Sequence, residues 1–215
     1  MRFITVFVAA LVTIAPAYAQ DPDARQIAQE RRAADKDVPR LAEVLMLKPG
    51  MTVGDVGSGG GAFTVVFGKW IGDGKVYATD ITERALRLTR EYAQKEGLSN
   101  VTVIQGAAES TNLPPSCCDA LFMRDVYHHI TDVEAFNRSL FASLKPGGRL
   151  AILDFRPDPG SRLFPGVPAN REGHGIRPNL VEDELKAAGF THLQTIERWP
   201  PDDKNPLFLV LFTKP

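Results

Sequence analysis

The order of apolar segments constrains the fold of this chain more than any other feature of its sequence. Short β-branched runs alternate with longer stretches whose apolar residues recur at helical spacing. This alternation is typical of a largely parallel sheet with helices on both faces. We predict five such strands, Thr52–Val56, Lys75–Asp80, Val101–Gln105, Ala120–Met123 and Arg149–Asp154.

The last part of the chain breaks this alternation. Leu193–Arg198 and Leu207–Thr213 are two further strand-like runs, and only a loop rich in proline and aspartate separates them. That loop is too short for a helical crossover, so we expect the two strands to pair antiparallel. With 215 residues, 44% of them hydrophobic, the chain suits one domain with a well-developed core.

Apolar spacing and capping residues mark the helices. Asp23–Asp37 and Arg40–Leu47 are predicted as two helices ahead of the first strand. Thr82 is positioned to N-cap the helix that follows the second strand. Thr131 and Glu134 have the spacing of a capping box ahead of the helix after the fourth strand.

A glycine-rich turn joins the first strand to the next helix, in the stretch VGDVGSGGGAFTVV at residues 53–66. A strand, a glycine turn and a helix place unpaired backbone N–H groups and the positive helix end beside a ligand. Gly57, Gly59 and Ala62 also match G-x-G-x-x-A, the fingerprint of dinucleotide sites, although this match alone is weak. The turn therefore predicts a nucleotide-like ligand without naming it.

Two acidic residues narrow the choice of ligand. Asp80 ends the second strand, where its carboxylate can accept hydrogen bonds from both ribose hydroxyls of an adenosine. NAD and S-adenosylmethionine (SAM) both carry that group. Asp55 lies at the end of the first strand, just before the glycines, and a buried carboxylate there needs a positive or donating partner. Because SAM offers an amino group and a sulfonium centre, whereas a pyrophosphate would be repelled, Asp55 favours SAM.

Five segments resemble the class I SAM-dependent methyltransferases. They are LKPGMTVGDVGSGGGAFT, VYATDI, QGAAESTNLPPSCCDALFMRDVYHHITD, LKPGGRLAILDF and LKAAGF, and they extend across nearly all of the chain after its N-terminal region. The chain is most similar to methyltransferases of ubiquinone and menaquinone biosynthesis and to exported bacterial methyltransferase-domain proteins. The resemblance implies an α/β fold with a Rossmann-like, doubly wound, seven-stranded sheet. That sheet would be mostly parallel, in the order 3-2-1-4-5-7-6, with a C-terminal antiparallel hairpin.

The same resemblance implies a binding site for SAM as the cofactor. Gly57, Ser58 and Gly59 would face its methionine part, Asp80 would hold the ribose, and Ile81 would pack on the adenine. The full implied set is Asp55, Gly57, Ser58, Gly59, Gly61, Asp80, Ile81, Ala108 at the adenine edge and Arg124 beside the methionine part.

The residues after the fourth strand are candidates for catalysis. Methyl transfer from a sulfonium needs mainly alignment and exclusion of water, and it needs a general base only if the acceptor arrives protonated. By the resemblance, Tyr127, His128 and His129 lie at the acceptor mouth, and either histidine is a candidate base. The long loop after the fifth strand is expected to cover this mouth. Its candidate anion contacts are Arg156, Arg171, His174 and Arg177.

The cysteines and histidines predict neither a disulfide nor a metal site. Cys117 and Cys118 are adjacent, and neighbouring cysteines rarely meet disulfide geometry, so we expect them to begin a buried strand. The spacing of His128, His129 and His174 relative to these cysteines matches no compact ligand pattern, and we predict no bound metal.

The first residues have the pattern of a secretory signal. Arg2 precedes an apolar run, and Ala17-Tyr18-Ala19 is the small-x-small pattern that signal peptidase reads. We expect a signal peptide at 1–19, a helical segment at 20–50 and the methyltransferase domain at 51–215. The protein would then be exported, to the periplasm or outside the cell. An uncleaved membrane anchor is the alternative.

Net charge narrows the class of partner. A formal charge of −1, with Lys and Arg spread along the sequence, is not typical of a nucleic-acid or membrane-surface protein. We expect a small-molecule acceptor, no nucleic-acid partner and no stable membrane insertion after signal cleavage. A second hypothesis is a non-catalytic binding protein that keeps this fold. A third, an NAD(P)-dependent oxidoreductase, is disfavoured by Asp55 and by the terminal hairpin.

Overall fold

A computed structural model describes residues 22–158, 160–163, 165–200 and 207–215. The predicted signal peptide at 1–19 lies outside these ranges. Within them, no helix combines the length and the apolar character that a bilayer crossing requires.

Seven strands form one sheet in the order β3-β2-β1-β4-β5-β7-β6. They are β1 (Thr52–Val56), β2 (Lys75–Asp80), β3 (Val101–Gln105), β4 (Cys118–Arg124), β5 (Leu144–Phe155), β6 (Thr191–Ile196) and β7 (Leu207–Thr213). The first five strands pair in parallel, whereas β7 pairs antiparallel with both β5 and β6. The Rossmann-like α/β fold and its closing hairpin are therefore confirmed.

Five α-helices lie within the described ranges, and the sequence predicted a capping box or an N-cap for two of those named here. The helices are α1 (Pro22–Val44), α2 (Ala62–Trp70), α3 (Glu83–Lys95), α4 (Val133–Ser143) and α5 (Pro178–Ala187). Thr82 N-caps α3 by accepting the N–H of Ala85, as predicted. The prediction for α4 is wrong by one residue, because the Asp132 carboxylate, and not the Thr131 hydroxyl, accepts the N–H of Ala135.

Helix α1 is continuous where the sequence predicted two helices. It passes through Pro39 without ending. Ala34, Val38 and Leu41 recur at helical spacing across the predicted break, and all three are fully buried in one apolar cluster. Their packing stabilises the helix on both sides of the proline, so that tertiary contacts outweigh the local preference against it.

Two apolar clusters lie on opposite faces of the sheet. One includes α1 and α2, and the other includes α4 and α5. Strand β5 contributes to both: Ala151 and Leu153 join the first cluster, while Leu150 and Ile152 join the second. This alternation is expected of a strand that is buried on both faces.

The start of β4 departs from the sequence prediction. Cys117 and Cys118 are joined in a disulfide, with their Cα atoms 3.7 Å apart. That is the ordinary spacing across one peptide bond, so the bridge closes a small ring within the chain and ties no distant segments together. The prediction that the two cysteines form no disulfide is wrong. The prediction of a buried strand is confirmed for Cys118, which is fully buried at the start of β4, whereas Cys117 precedes the strand and is half-buried.

Candidate active site

A crevice lies where the order of strands reverses, between β1 and β4. Connections from adjacent strands leave toward opposite faces at such a point, which opens a cleft at the carboxyl ends of the strands. The glycine turn after β1, the ends of β2 and β3, and the segment after β4 all line this cleft.

The glycine turn brings backbone close to the cleft. Gly57 has φ +80°, and a Cβ built on it would lie 2.4 Å from Cγ2 of Val126. The N–H groups of Gly57 and Ser58 both donate to the Thr79 carbonyl, at 2.7 and 3.0 Å, which ties the turn to the end of β2. Gly61, also left-handed at φ 80°, is the N-cap of α2 and directs the positive end of that helix toward the turn.

Asp80 shapes the same turn from the end of β2. Its Oδ2 accepts the N–H of Gly59 at 3.1 Å, and its Oδ1 accepts the N–H and the hydroxyl of Thr82 at 2.9 and 3.0 Å. An ionised carboxylate offers about four acceptor positions, so these three bonds leave room for a ribose hydroxyl. Asp80 is thus a structural cap that keeps acceptor capacity for a ligand.

Asp55 lies at the floor of the cleft and is 3% exposed. Its Oδ2 accepts a hydrogen bond from the Thr64 hydroxyl at 2.5 Å. Burial, with the negative charges of Asp80 and Glu30, raises the pKa of Asp55 to about 7, although the bond from Thr64 opposes the shift. The local field therefore favours a ligand that carries positive charge at this end of the cleft.

Helix α1 contributes side chains to the cleft that were not predicted from the sequence. Gln26 and Glu30 line a cavity of about 330 Å³ together with Asp55. Ile27, on the same helix, covers the glycine turn: a Cβ on Gly60 would lie 2.5 Å from its Cγ1. Polar residues on an amphipathic helix are ordinarily solvated, so nothing in the residue pattern of α1 marks these as site residues.

Arg124 and Asp125 bring unpaired polar atoms to the same cavity. Nε of Arg124 and Oδ1 of Asp125 are buried and have no hydrogen-bond partner among the described residues. The two side chains form an ion pair at 3.0 Å, and burial raises the pKa of Asp125. Asp125 also has φ +56°, a strained conformation that is often found at functional sites. Both residues line the cavity, so their charged side chains border any ligand bound there.

A second cavity of about 280 Å³ adjoins the first at Gly57, Asp80 and Val126. Mostly apolar residues surround it, among them Ile81, Ala108, Ile130 and Phe136. Ile81 is 63% exposed, so its side chain is free to cover a flat ring. One cavity is therefore charged and the other apolar, and they meet at the glycine turn.

Tyr127, predicted to lie at the acceptor mouth, is in the core. It is fully buried, and its hydroxyl accepts a hydrogen bond from Nδ2 of Asn137 at 2.7 Å. Burial and the charge of Glu184 raise the pKa of Tyr127. The prediction is wrong because the short 3-10 turn Tyr127–His129 directs successive side chains to different sides.

His128 and His129 occupy different positions at the mouth. His128 is buried, with Nδ1 2.8 Å from Oδ1 of Asp154 and Nε2 3.1 Å from Nε2 of His174. His129 keeps an exposed surface and lines the apolar cavity. Partial loss of water around its ring, together with the two neighbouring imidazoles, lowers the pKa of His129 to about 4. The three histidines form one cluster, which their spacing in the sequence did not indicate, because the loop after β5 folds back onto the turn after β4.

The arginines of that loop form ion pairs with glutamates. The pairs are Arg156–Glu197, Arg171–Glu184 and Arg177–Glu172. The Arg171 side chain is fully buried, with two nitrogens 2.6 and 3.1 Å from the Glu184 carboxylate. The structure therefore does not support their predicted role as anion contacts at the acceptor mouth.

Comparison with known proteins identifies the family. A family model described as a methyltransferase domain matches residues 47–196. The chain belongs to the class I SAM-dependent methyltransferases. It is 35% identical over 165 residues to the ubiquinone/menaquinone biosynthesis C-methyltransferase UbiE of Cronobacter sakazakii, covering 74% of this chain and 64% of that protein. The UbiE protein of an Enterobacter species is also 35% identical, over 111 residues and 44% of its length. This methyltransferase thus spans about half to two thirds of the curated relatives that it matches.

A solved structure supports the same assignment. A SAM-dependent methyltransferase from Aquifex aeolicus superposes with a TM-score of 0.70 at 27% identity, covering 87% of this chain and 96% of that chain. SAM is the cofactor of the family, and the two cavities fit it. Its amino and sulfonium groups suit the cavity lined by Asp55 and Glu30, and the positive charge of Arg124 suits its carboxylate. The apolar cavity beside Ile81 suits the adenine ring.

Replacing Asp80 with alanine is expected to weaken SAM binding by about 1–3 kcal/mol, or roughly 5- to 150-fold. The change removes the acceptor for the ribose hydroxyls and also releases the N–H of Gly59 from its carboxylate. Isothermal titration calorimetry measures the effect. Asp73→Ala, which removes an exposed acid from the turn before β2, is the matched control. Equal affinity in the two variants would mean that Asp80 is not a ligand contact.

Replacing Gly57 with alanine is expected to lower the free energy of unfolding by about 2–5 kcal/mol. The left-handed conformation costs about 1–2 kcal/mol for a residue with a Cβ, and the overlap with Val126 adds about 1–3 kcal/mol. Gly72→Ala isolates the first cost, because Gly72 has φ +57° and no atom within 4 Å of a built Cβ. Urea unfolding compares the two, and equal losses would show that the contact with Val126 is readily relieved.

Proposed function

We propose that this methyltransferase transfers the methyl group of SAM to a carbon atom of a small aromatic acceptor that carries a hydroxyl group. The main support for methyl transfer is the buried Asp55 carboxylate. It lies at the floor of a charged cavity that opens directly into an apolar one. The acceptor class is supported by the UbiE relatives, whose names specify C-methylation in quinone biosynthesis.

Different residues bind SAM, exclude water from the cleft and remove the proton of the acceptor. SAM, when bound, supplies an electrophilic methyl group on its sulfonium. Asp55 and Asp80 hold the cationic centre and the ribose, while Gln26 and Glu30 of α1 close the cavity against water. As the ring carbon attacks, the C–S bond to the methyl group breaks and S-adenosylhomocysteine leaves; the acceptor hydroxyl gives up its proton, and the methylated ring carbon then loses its hydrogen as the ring becomes aromatic again. The imidazole of His129 lies at the mouth, where it can relay the released proton to solvent.

The proposed activity is tested with a phenolic acceptor. The protein is incubated with SAM and a short-chain hydroquinone, and S-adenosylhomocysteine and methylated product are followed by mass spectrometry. We expect product that depends on the acceptor, falls with Asp80→Ala and is retained with Asp73→Ala. Tight binding of SAM with no transfer to hydroquinones or simple phenols would favour the alternative, a non-catalytic binding protein with this fold.

We also propose that the protein is exported, on the pattern of residues 1–19. The test is the mass of the protein recovered from the periplasm of a bacterial host. A chain that begins at Gln20 is expected there. Full-length protein confined to the cytosol would contradict the proposal.

A further inference from the structure

Three of the four histidines in the sequence meet beside the apolar cavity. His128 and His129 come from the 3-10 turn after β4, and His174 comes from the loop after β5. Each offers a ring nitrogen, and these atoms all lie within 4.8 Å of one another. Two separate segments of the chain therefore converge on one point at the acceptor mouth.

The spacing of the ring nitrogens matches that of metal ligands. Zinc binds histidine nitrogen at about 2.0–2.1 Å, so two nitrogens of a tetrahedral site lie roughly 3.3 Å apart. Nε2 of His128 lies 3.1 Å from Nε2 of His174, which is close to that separation. The nitrogen of His129 lies within 4.8 Å of both, and it would have to move closer to them for all three to bind one ion.

A buried carboxylate fixes the orientation of His128. Oδ1 of Asp154 lies 2.8 Å from Nδ1 of His128, and Oδ2 accepts the backbone N–H of His128 at 3.1 Å. With its proton on Nδ1, the imidazole presents a lone pair on Nε2, the atom that faces His174. Carboxylate–histidine pairs of this kind hold the ligand ring in most histidine metal sites.

The loop that carries His174 is also held in place. The backbone N–H of His174 donates to the hydroxyl of Ser161 at 2.7 Å, and its carbonyl accepts the N–H of Asp158 at 3.1 Å. The ring of Phe155 packs against both inner histidines, with its centre 4.8 Å from that of His128 and 4.9 Å from that of His174. Hydrogen bonds and ring packing therefore hold both His128 and His174 in position.

We propose that His128, His129 and His174 bind a divalent transition metal of the zinc class, with Asp154 as the positioning residue behind His128. Imidazole is a preferred ligand of Zn²⁺, and three protein ligands leave a fourth position open, as in catalytic zinc sites. His129 also lines the apolar cavity, so the open position faces the acceptor mouth.

A metal at this position would act on the acceptor. An acceptor hydroxyl bound at the open position would lose its proton to solvent at a lower pH, as metal-bound water does. Metal binding would then replace His129 as the means of acceptor deprotonation. This catalytic role rests on the proposed function, whereas metal binding itself does not.

Metal binding is tested on the full chain without an affinity tag, after treatment with a chelator. Calorimetry with Zn²⁺ alone is expected to give one ion per chain, and Co²⁺ is expected to give the visible absorption bands of a tetrahedral site. His174→Ala should lower Zn²⁺ affinity by more than the roughly 10- to 100-fold expected for Asp154→Asn. His192→Ala is the matched control, because His192 lies on β6 and bonds Thr195, away from the cluster.

The binding of SAM shows whether a variant that no longer binds Zn²⁺ is still folded. His174 does not line the cavities assigned to SAM, so His174→Ala should bind SAM as the wild type does. Failure of the wild type to bind Zn²⁺ would overturn the proposal. The three histidines and Asp154 would then be a hydrogen-bonded cluster without a metal. Equal Zn²⁺ affinity in His174→Ala and wild type, or equal losses in His174→Ala and His192→Ala, would overturn the proposal as well. Absence of methyl transfer, with Zn²⁺ bound at the cluster, would count against the proposed function alone.

Discussion

Between about pH 4 and pH 7, the free energy of unfolding of the wild-type protein is expected to fall by about 3–3.5 kcal/mol relative to that of the Asp55→Asn variant. The pKa of Asp55 is raised from its ordinary value of 3.8 to about 7 in the folded protein. The folded state therefore holds a proton in this range that the unfolded state has released. The contribution of Asp55 to the free energy of unfolding is therefore greatest at low pH, and it is lost as the pH rises through the folded pKa of Asp55.

The surroundings of Asp55 explain why its pKa is raised in the folded protein. Burial removes water from the carboxylate, and Glu30 of α1 and Asp80 of β2 add negative charge, while Thr64 of α2 donates the one hydrogen bond that favours ionisation. Urea unfolding at a series of pH values, without SAM and at constant ionic strength, measures the difference. Asp73→Asn, at an exposed turn, is the control, and its profile should parallel that of the wild type.

SAM should change this pH dependence. Its positive charge favours the ionised carboxylate and lowers the folded pKa of Asp55, so a saturating concentration should reduce the fall in stability relative to Asp55→Asn and complete it at lower pH. Profiles that run parallel for wild type and Asp55→Asn, with or without SAM, would show that Asp55 is not the buried acid described above.

Replacing Arg171 with alanine is expected to destabilise the protein by about 3–5 kcal/mol. The Arg171 side chain is fully buried, and its guanidinium bonds Glu184 of α5 through two nitrogens. Removing one partner of a buried pair leaves the other charge in a poorly solvated place, which costs far more than loss of an exposed pair. The pair also anchors the loop that carries His174 to helix α5.

Arg177→Ala is the matched control for Arg171→Ala. Arg177 pairs with Glu172 in the same loop, but its side chain is 60% exposed, so its loss should cost less than about 1 kcal/mol. Urea unfolding and thermal melting compare the two variants with the wild type. Losses of similar size would mean that Arg171 and Glu184 are solvated in the protein, and that the loop is held by other contacts.

The fold was predictable because it depends on features that repeat along the chain. Alternating strands and helices specify a parallel sheet, and the short loop after Leu193–Arg198 leaves room only for an antiparallel return. The glycine turn, Asp55 and Asp80 were predictable for a related reason. They follow strands that run in parallel, and the carboxyl ends of such strands meet at one edge of the sheet.

The remaining site residues depend on contacts between segments that are distant in sequence. Gln26 and Glu30 reach the cleft only because α1 packs across the glycine turn. His174 meets His128 from 46 residues further along the chain, and no spacing rule indicates that meeting. Tyr127 was misplaced because a single 3-10 turn decides which of three adjacent side chains points inward.

The binding of SAM is the most direct test of the site. Isothermal titration calorimetry of the protein with SAM, S-adenosylhomocysteine and NAD compares the three ligands under one set of conditions. The geometry predicts that SAM and S-adenosylhomocysteine each bind at one site per chain, that NAD does not bind, and that Asp80→Ala weakens the first two. Binding of NAD in place of SAM, or no binding of SAM and S-adenosylhomocysteine, would contradict the assignment of the cleft.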